Sequence, residues 1–195
     1  LAGAGLVHLA RQAEVRGAEQ QVDETDDSER QLRQKLTSAW ASMSAMAFRD
    51  AEQQFEAALQ MEPKQFLPLT GLYHIRKLKP ESEAFHHTAR QLLDAEITDE
   101  GELRQQFNIY RDYVKRIDSE EAIPLETRVR LIGNLSKLGE TKEADRLAML
   151  IEKQGERHPM LGKSLSLLAQ ALQNSNQARS NHLKMLAVRL AEESA

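Results

Sequence analysis

The residues best able to do chemistry near neutral pH are the six histidines, His8, His74, His86, His87, His158 and His182. A zinc hydrolase would need two of them one helical turn apart around a glutamate, and no pair has that HExxH spacing. His86 and His87 are adjacent, so on a helix they point in different directions. The acid pairs Asp26–Asp27 and Glu120–Glu121 fall near expected helix ends, where carboxylates act as solvated caps rather than as an acid/base couple. LAGAGL at the start of the chain lacks the preceding strand and the lysine of a phosphate-binding loop. Cysteine is absent, which excludes disulfides, thiolate nucleophiles and cysteine-ligated zinc. No hydroxyl nucleophile has a recognisable base. The expectation is therefore no catalytic residue, no cofactor, no metal, and no enzyme within these 195 residues.

Composition points to what the chain does instead. Hydrophobic residues at 41% and charged residues at 29% suit a folded domain with a sizeable interior, or a short repeat array. Aromatics are only 5%, and Ala, Leu, Gln, Glu and Arg dominate, a helix-rich mixture. The net charge of −4 argues against a general grip on nucleic acid, which needs clustered cations.

The clearest local structure lies between Leu131 and Ile151, LIGNLSKLGETKEADRLAMLI. Leu131, Ile132, Leu135 and Leu138 form one helical stripe; Gly139 ends that helix and Thr141 is placed to cap the next. Ala144, Leu147, Ala148 and Ile151 then form a second stripe, so the segment reads as an antiparallel helical hairpin with a very short turn. Upstream, Asp26, Asp27 and Ser28 can cap a helix carrying Leu32, Leu36, Trp40 and Met43. Its partner, FRDAEQQFEAALQMEP, carries Ala51, Phe55 and Ala58 and stops before Pro63. A second pair is expected from Leu69, Leu72, Tyr73 and Ile75, then, beyond Pro80, from Ala84, Phe85, Ala89 and Leu92. Leu103, Phe107, Tyr110, Val114 and Ile117 mark a long helix. The last pair has Leu161, Leu165, Leu168 and Leu172 on one helix and Ala178, Met185 and Leu186 on the other.

These hairpins resemble units of the tetratricopeptide (TPR) family. Ala51, Phe55, Ala58 and Pro63 match its small, aromatic, small and proline positions. Ala51 to Ala84 spans 33 residues and Ala144 to Ala178 spans 34, both one TPR period. Gly139 and Ala148 belong to the same pattern. The resemblance implies an all-α fold, a right-handed superhelix of antiparallel helix pairs. Its units would be 28–63, 64–95, 125–158 and 159–193 within a domain spanning 28–195. Residues 1–27 would form an N-terminal helix and acidic linker. From Ala84 to Ala144 the interval is 60 residues, so 99–123 is expected to be an irregular, solitary helix.

A TPR-like array implies a non-catalytic protein-interaction module that holds a protein or peptide on its concave face. Trp40, Tyr73 and Tyr113 are the candidate partner-binding residues; Trp40 equally continues the Leu36–Met43 core stripe, and Tyr113 is expected to be more exposed than Tyr110. The lysine and asparagine set with which some TPR proteins clamp a chain terminus is not expected at the matching positions. Leu1 in place of an initiating methionine suggests a fragment or processed product. LAGAGLVHLARQAEVR could be the end of a membrane helix, making this the soluble tail of a membrane protein, for instance a rhomboid-type intramembrane protease with its activity upstream. That reading predicts a cytoplasmic domain tethered to the membrane, and self-association through an open array end is a third expectation.

Overall fold

A computed structural model describes residues 27–63 and 65–193. The LAGAGLVHLARQAEVR segment and the Asp26 cap lie outside the described residues. Among the described residues the regular structure is entirely helical: α1 over residues 27–44, α2 Phe48–Met61, α3 Phe66–Arg76, α4 Glu83–Leu93, α5 Glu100–Val114, α6 Leu125–Lys137, α7 Thr141–Gln154, α8 Leu161–Ala171 and α9 Gln177–Glu192. A short 3-10 turn, Glu120–Ala122, lies between α5 and α6. The chain forms two compact units, one ending at Ile75 and one beginning at Arg76.

In the first unit Ala39, Ala51, Phe55, Leu72 and Ile75 make the core, with Leu36, Trp40 and Met43 packed against it. Trp40 meets the Phe55 ring edge-on, centroids 5.1 Å apart. The tightest approach is at Gly71 of α3. A β-carbon there would lie 2.3–2.7 Å from the Phe55 ring, closer than atoms can pack.

The turn between α1 and α2 shows how these hairpins close. The Met46 amide donates to the Met43 carbonyl and the Ala47 amide to the Ser42 carbonyl. This paired arrangement satisfies the last carbonyls of a helix when the residue after the cap is left-handed. Met46 supplies that conformation at φ 59°, although it is not glycine. Between α6 and α7 the same two bonds recur, from Gly139 to Ser136 and from Glu140 to Leu135, with Gly139 at φ 77°. Both connections have three residues. Matching Met46 to Gly139 matches Ala51 to Ala144, and both alanines are fully buried. Gly139 thus ends α6 as expected, but Thr141 is the first residue of α7 and its side chain makes no capping bond. Gly155, at φ 64°, closes the far end of α7.

Within the second unit α4 packs on α5, α6 on α7 and α8 on α9, and α8 also runs along α6 and touches α7. α6 contacts both α4 and α5. The segment 99–123 is therefore not a solitary helix, since α5 is the second member of a pair that α4 begins. With this pairing the first helices begin at 83, 125 and 161 and the second helices at 100, 141 and 177. The intervals are 42 and 36, then 41 and 36, longer than the 33 and 34 residues read from the sequence.

Ala84 and Ala178, read as repeat anchors, are both exposed. The buried stripe of α4 is Phe85, Thr88, Ala89, Leu92 and Leu93. That of α9 is Ser180, Leu183, Ala187 and Leu190, while Met185 points outward. Ser180 is the small residue that α9 buries, its hydroxyl donating to the Ala169 carbonyl at 2.7 Å. α5 is likewise rotated from the expected stripe and buries Leu103, Gln106, Ile109, Tyr110 and Tyr113.

Candidate functional site: the groove between α6 and α8

Pro124 fixes the entry to α6 and Gly139 its exit, which leaves a short helix surrounded by neighbours. Its inner side is polar as well as apolar. Asn134 donates its side-chain amide to the Gln106 side-chain carbonyl at 2.9 Å. Gln106 in turn donates to the Leu92 carbonyl at 2.8 Å, satisfying the end of α4. This buried chain of amides ties α4, α5 and α6 together, and every bond in it counts because no water competes there.

A second tie is Arg128, 3% exposed. Its guanidinium donates to the Ile123 carbonyl at 3.0 Å, to the Gln154 side chain at 2.9 Å and to Glu156 at 2.9 Å. A buried charge persists only when paired and hydrogen-bonded in this way. Tyr110 donates to Glu120 at 2.6 Å, and Arg146 meets both Glu120 and the phenol oxygen. Burial, with the hydrogen bond to Glu120, pushes the Tyr110 phenol well above its ordinary range. On α7 and α9, Arg179 grips Asp145 at 2.7 Å and Glu152 at 2.6 Å, and His182 lies 2.9 Å from Glu152. Burial raises the Glu152 carboxyl, but the hydrogen bonds and charges of Arg179 and His182 outweigh it and hold the group below its ordinary value. These ionisable groups are paired within the fold and brace its helices; Glu152 and His182 also line a small cavity.

A cavity of about 480 Å³ forms a groove between α6 and α8, lined also by the Glu96–Thr98 connection. Its floor is made by Val129, Gly133, Ser164 and Leu167. Gly133 brings the helices close: a β-carbon there would stand 3.4 Å from the Ser164 hydroxyl. Arg130, Lys137 and Lys163 line its walls. Arg130 is paired with Glu126 at 3.2 Å and Asp94 at 3.4 Å. Lys137 and Lys163 form no ion pair with a described residue. A smaller cavity of about 220 Å³ opens beside Glu152 between α7, α8 and α9.

The residues first suggested for partner binding are not in this groove. Tyr73 and Tyr113 are buried. Tyr113 is 2% exposed, with its ring against Phe85 and its hydroxyl 3.2 Å from His86, so the expectation of a more exposed Tyr113 fails. It lies on the inner face because α5 leans on α4. Trp40 is half-buried against Phe55 in the first unit. The groove residues carried no sequence signal beyond the three-residue spacing of Asn134 and Lys137 on one helix. Lys163 joins them only through the packing of α8 on α6.

Among the described residues no group of three or more His, Asp or Glu side chains could hold a metal ion. No helix among them is long and apolar enough to cross a membrane. No protein-family model, no curated protein and no solved structure matches this chain.

Proposed function

We propose that the protein is a non-catalytic interaction module, a TPR-like array of antiparallel helix pairs wound as a right-handed superhelix, which holds a peptide or an extended segment of a partner protein. The observation that carries this reading is the groove between α6 and α8. It joins an apolar floor to polar walls, the mixture that peptide-binding sites use for affinity and orientation. The regular pairing of α4–α9 supports the array, because stacked helix pairs leave continuous grooves between equivalent helices.

The test is a random peptide library panned against the immobilised full chain and against a variant with Thr98→Trp and Leu167→Trp. Both residues line the groove, so the larger side chains fill it. Peptides recovered on the native chain should lose at least tenfold in affinity on the filled variant, with helix content unchanged. No enrichment over an unrelated helical protein, or equal binding to both forms, overturns the proposal.

A further inference from the structure

The chemistry of the groove names the kind of peptide it takes, an inference that rests on the interaction-module reading above. Its charged residues divide into those already neutralised and those still seeking a partner. Arg130 is held by Glu126 and Asp94, so these three form a closed cluster toward the start of α6. Lys137, in the last turn of α6, and Lys163, near the start of α8, are exposed and have no ion-pair partner among the described residues. Glu96, on the connection at the other end, is the one groove acid without a described ion pair. The cationic character is therefore local, in a chain whose net charge is −4.

Geometry then spaces the contacts. Arg130 and Lys137 are seven residues apart on one helix, about 10 Å along its axis. Ser164 lies against Gly133, between them, which brings Lys163 alongside this stretch. Val129 and Leu167 supply the apolar part of the same lining. Asn134 cannot turn to meet a ligand freely, because its amide is committed to Gln106. We infer that the groove between α6 and α8 binds an acidic peptide segment, its side-chain carboxylates meeting Lys137 and Lys163 and its apolar residues resting on Val129 and Leu167. Desolvated on one side by that floor, the lysine–carboxylate pairs contribute more than exposed surface pairs and also set the direction in which the chain lies.

The experiment reads the composition of the peptides recovered in the panning. All library members carry an amidated C-terminus, so a terminal carboxylate cannot supply the charge. Recovered peptides should hold an excess of Asp and Glu over the input. That excess should vanish or invert when panning is repeated on a full-length K137E/K163E variant, whose two exposed substitutions leave the helical signal intact. The best acidic peptide, labelled with fluorescein, should bind the variant at least tenfold more weakly by anisotropy, and added salt should weaken binding to the native chain. Neutral or basic peptides that compete for the groove overturn the acidic assignment and leave the interaction module standing. Acidic peptides unaffected by K137E/K163E overturn it equally. An empty panning overturns both.

Discussion

Two residues in the first unit have opposite conformational demands, and single substitutions should separate them. Met46 takes a left-handed backbone with its side chain 77% exposed, so nothing there compensates the strain of a β-carbon. Met46→Gly should stabilise the chain by about 1 kcal/mol, the usual cost of that conformation for a non-glycine residue. Gly71→Ala should do the reverse. In an open helix the change would help by about 1 kcal/mol, but here the new methyl meets the buried Phe55 ring. A net loss of about 1–3 kcal/mol is expected, and denaturant unfolding of the two variants measures both signs. The importance of Ala51 could be read from its type and its distance from Phe55. Gly71 could have been noticed too, since a glycine inside a helical pattern usually has a packing reason. Trp40, by contrast, fits a core position and a ligand position equally well by type. In the fold its half-buried ring meets Phe55 edge-on.

At the level of helices, the amide chain through Gln106 decides how α4, α5 and α6 meet. Gln106→Leu fits the same space but strands the buried Asn134 amide and removes a side-chain donor from the carbonyls that end α4, at a cost of about 1–3 kcal/mol. Hydrogen exchange should quicken at the end of α4 and across α6. The α7–α9 clamp makes a pH prediction. Glu152 has a folded-state value below the ordinary 4.5, so its stabilisation is complete above that value and is lost as pH falls through the lowered one. Glu152→Gln should therefore lower the melting temperature at neutral pH and flatten its decline on acidification below about pH 5. Helix existence was legible because stripes of Leu, Ala and Ile repeat at helical spacing. The rotation of α5 was not: Phe107 and Val114 look as apolar as Ile109 and Tyr113, and the choice between them depends on where α4 lies. The same holds for α9, where Met185 is the more greasy residue by type and Leu183 the buried one. A buried Gln106 contradicts the rule that polar residues face water, so no pattern of hydrophobicity could place it.

For the molecule as a whole, the chain divides at Ile75 into two compact units. The expected repeat boundaries follow hairpin turns, and turns are written in local sequence. Which helices pack together depends on contacts between distant segments, such as those that lay α5 on α4. The groove between α6 and α8 belongs to that same non-local class. Lys137 and Lys163 are ordinary surface lysines until two helices are laid side by side.

Trp40 also gives the protein a built-in optical gauge. As the sole indole in the chain, lodged against Phe55 in the first unit, it emits from one end of the polypeptide only. Its emission during urea titration should follow the first unit, whereas far-ultraviolet dichroism averages over every helix. Two midpoints, one for each signal, are expected if the units melt in separate steps. Superimposable curves would show a single all-or-none transition instead. No label or added chromophore is required, because excitation at the red edge of the absorption band selects this indole over Tyr110 and Tyr113 of the second unit.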